Sequence, residues 1–342
     1  MERITIRGER FEANGKPVWF CGANTPWHNW NDFGGEYDEA WWRGHLAQIR
    51  EAGVNATRVW LNCNNGQGAV DIDEGGVVRG VAQAHWRDLR SLFAAAESAG
   101  VYIMGTLLSF DHFKDIGSRP EAARWRAMLG SERGVESFAE HYVRPFAEYF
   151  GGNPVLWSVD LMNEPDWVHE EDFCGKMPWE ALSRLFARCA AALHKAAPAT
   201  LVTVGMSFPK YHSELYEGDM VSDEYLQSLY KDDGAFLDFL SPHYYDWIGE
   251  RYGSPFTLSP FGPREEGGWG LRGGRPALIG ECPALGTAGS TLTDDYLNAM
   301  RHGWQGVMPW TSNGVDKCGG FERLSAATRR VAAEYPELVF PR

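Results

Sequence analysis

Eight short apolar runs, each bounded by turn residues and most separated by a helical pattern, constrain this chain more than any other feature. They cover 18–23, 56–61, 102–108, 156–162, 201–206, 239–244, 277–282 and 306–310. Unbroken apolar runs of this length suit strands buried on both faces, since neither face has to meet water. Strands alternating with helices call for a parallel sheet, and eight such units call for closure into a (β/α)8 TIM barrel. An open doubly wound sheet is the alternative, but no GxGxxG follows the first run.

The intervening segments read as helices. Trp42, Leu46 and Ile49 share a face that ends at Gly53; Trp86, Leu89 and Phe93 repeat this before Gly100. Residues 135–150 are helical in pattern, with a kink expected at Pro145. Pro178 suits the first position of a helix carrying Leu182, Leu185, Cys189 and Leu193. Further helices are expected around 294–301 and 321–333, whereas 245–275, rich in Gly and Pro, reads as a long loop. Ahead of the first run, residues 4–17 alternate and turn at Asn14-Gly15, which predicts a short N-terminal β-hairpin closing one end of the domain. No linker or low-complexity stretch divides the chain, so residues 1–342 are expected to form a single catalytic domain.

Composition narrows the function classes. A net charge of −14 repels phosphate-rich partners, which argues against nucleic acid. The six cysteines form no CxxC and no Cys/His cluster, and none of the ten histidines forms HxH, HxxxH or HExxH. No metal and no cofactor are therefore expected, and the cysteines read as free thiols. No apolar run is long enough for a membrane span, and the opening MERITIRGERF lacks the apolar core of a secretion signal. The expectation is a cytoplasmic protein, or a secreted one if the chain is a trimmed mature fragment. Most of the 15 tryptophans should be core, leaving a minority to stack on ligands.

In a barrel of this kind the site lies at the C-terminal ends of the strands. The polar residues found there are Arg58 on the second, Asn163-Glu164 on the fourth, His243 with Tyr245 on the sixth, and Glu281 on the seventh; Trp310 ends the eighth. Two carboxyl groups at nearly opposite strand ends are what retaining glycoside hydrolysis needs, one to attack the anomeric carbon and one to protonate the leaving oxygen. An Asn-Glu pair ending an apolar strand is costly unless it is used.

Asn163-Glu164-Pro165 after an apolar strand, followed in order by His243-x-Tyr245, Gly280-Glu281 and Trp310 and preceded by Arg58, resembles glycoside hydrolase family five, over about residues 14–310. The resemblance implies a retaining (β/α)8 glycosidase. Glu164 would be acid/base and Glu281 nucleophile. Asn163 would bind the 2-hydroxyl of the cleaved sugar, Arg58 and Tyr245 would hold Glu281 ionised, His243 would orient the acid/base, and Trp310 would floor the sugar. The family often places a histidine at the third strand end; His112, past the end of the apolar run, is the candidate here. Trp27, His28 and Trp30 after the first strand, Trp167, His169 and Trp179 after the fourth, and Trp247 and Trp269 in the sixth loop are candidates for outer subsites, each weighed against plain packing. Cys282 reads as a buried filler.

The segments Asn14-Gly15-Lys16-Pro17, Thr57-Arg58-Val59-Trp60 and Leu201-Val202-Thr203-Val204-Gly205 are similar to β-mannanases of this family. The resemblance thus implies a β-linked oligo- or polysaccharide partner: β-1,4-mannan or mannooligosaccharides first, with an endo-β-1,4-glucanase or an exo-acting β-mannosidase as alternatives. A metallohydrolase on the same barrel and a non-catalytic carbohydrate-binding protein are the rivals from other classes. Neither is favoured, because ligand clusters are absent and both glutamates are present.

Overall fold

The computed structural model describes residues 1–63, 69–115 and 121–341. Its centre is the expected (β/α)8 barrel. The strands Phe20–Asn24, Ala56–Trp60, Tyr102–Thr106, Leu156–Asn163, Leu201–Met206, Ser241–Pro242, Ile279–Pro283 and Gly306–Trp310 are hydrogen-bonded in a parallel series, the eighth returning to the first. Isolated bridges at Leu240–Ala277 and His243–Glu281 join the sixth strand to the seventh and close the ring. The strands are buried almost throughout, which is why their sequences run apolar without alternation.

Two cores result. The larger lies between the strands and the surrounding helices; Trp42, Leu46 and Ile49 of Glu39–Glu51 face it, as do Leu89 and Phe93 of Gln83–Ala99. The smaller fills the barrel floor. There Phe11 reaches in from the N-terminal segment, its ring 5.2 Å from Phe20 and Trp157 and 5.3 Å from Phe239. The floor is thus sealed by packed aromatics, and only the opposite mouth is left open to ligands.

Several elements differ from the sequence reading. The N-terminal hairpin is a three-stranded antiparallel sheet of Ile4–Arg7, Arg10–Ala13 and Lys16–Val18. Its second turn is the expected one: Asn14 and Gly15 both take positive φ, 51° and 71°. At Pro145 the helical pattern changes type. Glu132–Phe138 passes through a π-helical stretch, Ala139–Val143, into Arg144–Phe150, and the extra residue in that turn absorbs the missing N–H. Pro178 caps Trp179–Ala196 from just outside rather than opening it. The sixth connection is no plain loop: it holds the helix Asp246–Tyr252 and the strands Ser259–Phe261 and Gly268–Leu271, which pair with each other, the second also pairing with His212–Ser213 from the fifth connection. No helix among the described residues is long and apolar enough to cross a membrane. All six cysteines are free.

Candidate active site

Arg58 is the fixed point of the barrel mouth. Its guanidinium is fully buried, and every donor direction is matched. Nη2 and Nε donate to Asp160 Oδ2 at 2.6 and 2.9 Å, Nη1 to Glu281 Oε1 at 2.7 Å and to Asn24 Oδ1 at 3.2 Å, and Nη2 to Asn163 Oδ1 at 2.8 Å. Such a cation can be buried because two carboxylates surround it. Room for it comes from Gly205, where a Cβ would lie 2.6 Å from Arg58 Nη2. Asn24 anchors the cluster by donating to the carbonyls of Met308 and Gly280 at 2.7 and 3.0 Å.

The backbone presents Glu164 through an unusual conformation. Glu164 has φ 48°, in the left-handed region, between the end of the fourth strand and the helix Pro165–Glu170. The following proline disfavours the right-handed helical alternative, and the Glu164 N–H donates to Gly205 O at 2.7 Å. A side-chain-bearing residue held there is strained and persists where surrounding contacts over-determine it.

The two carboxyls meet different surroundings. An oxygen of Glu164, an oxygen of Glu281 and a ring nitrogen of His243 all lie within 4.8 Å of one another. Glu281 accepts from Arg58 on one oxygen and from the Tyr245 hydroxyl on the other, at 2.9 Å. Glu164 accepts from the Trp167 indole on Oε2 at 2.8 Å, and His243 Nδ1 lies 3.0 Å from Oε1. Burial pushes the Glu164 carboxyl up to about 7, opposed mainly by the Trp167 hydrogen bond and more weakly by the Arg58 charge. Burial raises Glu281 too, and the Glu164 charge adds to the rise, but His243 and the Arg58 ion pair and hydrogen bond work against it. Of the two, Glu281 is the group that keeps its charge. Burial lowers His243 to about 4, so its imidazole is neutral at pH 7. All four carboxylate oxygens already face a protein hydrogen-bonding group, so a cation bound there would displace those partners and sit beside a buried guanidinium.

A cleft of about 670 Å³ opens over this cluster. Trp27, Trp30, Trp60, Trp167, Trp247 and Trp310 line it, together with Asn163 and Tyr245. Trp310 is braced edge-on by Trp60 and Trp27, ring centroids 5.2 and 5.9 Å away. Arg58 fixes the Asn163 amide by donating to its oxygen, and the amide nitrogen makes a long contact, 3.5 Å, to the Ser109 hydroxyl; Asn163 lines the cleft.

Other sequence candidates fall outside the cleft lining. His112 closes a capping box with Ser109 and packs edge-on against Trp125 at 4.8 Å; its ring belongs to the core. His28 stacks on Trp41 at 4.1 Å. Trp269 is fully buried against Trp304, and His169 and Trp179 pack with Tyr211. Sequence reasoning passed over Asn24 and Asp160, although a buried polar group inside an apolar run signals a partner. It also passed over Trp60, Phe110, Asp111, Lys114 and Asp316, which line the cleft.

No protein-family model matches the chain. A curated mannan endo-1,4-β-mannosidase of Mytilus edulis is 24% identical, over 95% of this chain and 93% of its own length. The crystal structure of the β-mannanase from the same mussel superposes with a TM-score of 0.82 at 22% identity, covering 96% of each chain. An endo-1,4-β-mannanase from Eisenia fetida superposes at 0.81 and 20% identity, over 97% of this chain and 95% of its own. The chain is therefore β-mannanase-like from end to end, in sequence and in fold.

Proposed function

We propose that this chain is a retaining glycoside hydrolase that cleaves β-1,4-linked mannan or mannooligosaccharides, with residues 1–342 acting as one catalytic domain. The observation that carries the mechanism is the pair of carboxyls within 4.8 Å of each other, one paired to a buried guanidinium and one not. Retaining enzymes hold their carboxyls about 5–5.5 Å apart, and inverting ones about 6.5–9.5 Å, to admit a water between them.

Glu281, ionised beside Arg58 and Tyr245, attacks the anomeric carbon. Glu164, protonated near neutral pH, gives its proton to the departing glycosidic oxygen as that bond breaks. The charge on Glu281 is consumed in the glycosyl ester, so Glu164 can ionise without facing a second carboxylate. Glu164 then takes a proton from water, the water oxygen attacks the anomeric carbon, and Glu281 leaves as carboxylate. Trp310 offers an indole face to the C–H face of the sugar above the pair. The Asn163 amide nitrogen is placed to donate to the 2-hydroxyl, a bond that strengthens as the transition state forms. His243, neutral, orients Glu164.

Mannan is favoured over glucan by the likeness to named β-mannanases over nearly the full chain. Six free thiols suit a reducing compartment such as the cytoplasm. The test is a product profile on linear mannan, glucomannan, cellulose and their oligosaccharides. Mannan hydrolysis exceeding that of matched glucans supports the reading. A preference for glucan rejects it, and release of single mannose units from one chain end makes the action exo.

A further inference from the structure

His243 has two ring nitrogens, and only Nδ1 enters the chemistry above. Nδ1 lies 3.0 Å from Glu164 Oε1 and 3.6 Å from Glu281 Oε2. Nε2 is fully buried and has no hydrogen-bond partner among the described residues. Two glycines on the flanking strands clear the space around it. A Cβ on Gly205 would lie 3.0 Å from Nε2 and 3.1 Å from Asp160 Oδ2; one on Gly280 would lie 3.1 Å from Nε2 and 2.5 Å from Ser241 Oγ. The Ser241 hydroxyl is fully buried too and likewise has no partner among the described residues. A buried ring nitrogen and a buried hydroxyl on either side of one notch are costly unless they serve each other, and one buried water spans such a gap.

The hydrogen on this neutral ring can be placed. The Trp167 indole donates to Glu164 Oε2, so the acid proton of Glu164 sits on Oε1, facing Nδ1. Nδ1 accepts that proton only when bare, and a neutral imidazole then carries its hydrogen on Nε2. The surroundings of Nε2 agree. Arg58 Nη2 already gives its two hydrogens to Asp160 and Asn163, whereas Asp160 Oδ2 and Ser241 Oγ are acceptors. We propose that Ser241 is a positioning residue: through one buried water it accepts from His243 Nε2–H, and so leaves Nδ1 to hold the Glu164 proton until the glycosidic oxygen takes it. The opposite tautomer would donate from Nδ1 to the Glu164 carboxylate and favour its ionised form. The charged and titratable groups facing His243 are Arg58, Asp160, Glu164 and Glu281 from neighbouring strands and His212, which burial lowers to about 3. Asp111 and Asp166 add negative charge near Glu164; Asp166, which burial raises to about 7, is held by the Ser207 N–H at 2.8 Å and is common to native and variant below.

The inference rests on the glycosidase reading for the use of the proton, and the test separates the two. Nitrogen NMR of the native enzyme reads the tautomer directly, because protonated and bare ring nitrogens resonate far apart. The His243 signals are those lost in His243→Asn. At a pH below the Glu164 value of about 7, the hydrogen is expected on Nε2; a hydrogen on Nδ1 overturns the proposal. In Ser241→Ala, folded as native by circular dichroism, Nδ1 should gain hydrogen and the Glu164 pKa should fall. The alkaline limb of kcat/KM on mannopentaose should therefore move down by about half a pH unit or more, the order of one lost hydrogen bond. A fall in kcat/KM equal at every pH, with the limb unmoved, makes Ser241 a packing residue and overturns its role. Should the variant fail to fold, the native spectrum alone decides. A native enzyme that leaves mannopentaose intact overturns the glycosidase reading instead, while the spectrum still decides the tautomer.

Discussion

Arg58 decides which carboxyl of the pair stays charged, because it is the buried cation that touches one glutamate and not the other. The proton on Glu164 then sets the pH range of the reaction. In the proposed reaction Glu164 must be protonated to donate, and burial places it at about 7, so kcat/KM should fall above that pH; on the acid side it should fall as Glu281 takes up a proton and can no longer attack. The Trp167 indole stabilises the ionised form of Glu164. Trp167→Phe should therefore raise the Glu164 pKa and carry the alkaline limb to higher pH, as a pH–rate profile would register; a limb moving to lower pH would contradict this account of the hydrogen bond. Glu164→Ala should be far milder on activated aryl mannosides than on mannan, and azide should restore its turnover by attacking the glycosyl ester. At this scale the sequence is most legible where chemistry is tied to strand ends: Glu164, Glu281, Arg58, Asn163, His243, Tyr245 and Trp310 all converge. It is least legible in loops. Lys114 and Asp316 carry no periodicity, and His112 differs from a cleft histidine only through its partner Ser109, which spacing does not reveal.

Individual elements show why small residues sit beside the site. A methyl group on Gly205 would meet Arg58 Nη2 at 2.6 Å and His243 Nε2 at 3.0 Å. Neither group can retreat, since Arg58 is bonded on every side and His243 is buried. Gly205→Ala should cost about 1–3 kcal/mol by overpacking and should lower kcat as well, because the guanidinium must shift. Urea unfolding and steady-state kinetics would check both; a variant as stable and active as native would mean that the strand yields. Element boundaries followed the apolar runs except where backbone pairing is short. The sixth strand is regular only at Ser241–Pro242, since proline offers no N–H to the ladder. The sixth connection reads as loop because its strands are brief, and the pairing of Gly268–Leu271 with His212–Ser213 is nonlocal.

For the molecule as a whole, the barrel works as a plug below and an aromatic cleft above. Phe11→Ala should destabilise the fold by about 3–5 kcal/mol, as expected for emptying a packed aromatic site, and affect kcat far less, because the void opens at the end away from the carboxyls. Closure of the barrel was legible because eight buried runs leave few other solutions. The third N-terminal strand was not, since Ile4–Arg7 is half exposed and only its pairing with Arg10–Ala13 defines it. The central claim is that Glu281 attacks and Glu164 supplies and reclaims the proton. A slow 2-deoxy-2-fluoro-mannosyl inactivator traps the glycosyl ester, and mass spectrometry of a protease digest identifies the residue that carries it. The account predicts a single label on Glu281; a label on Glu164 would contradict it.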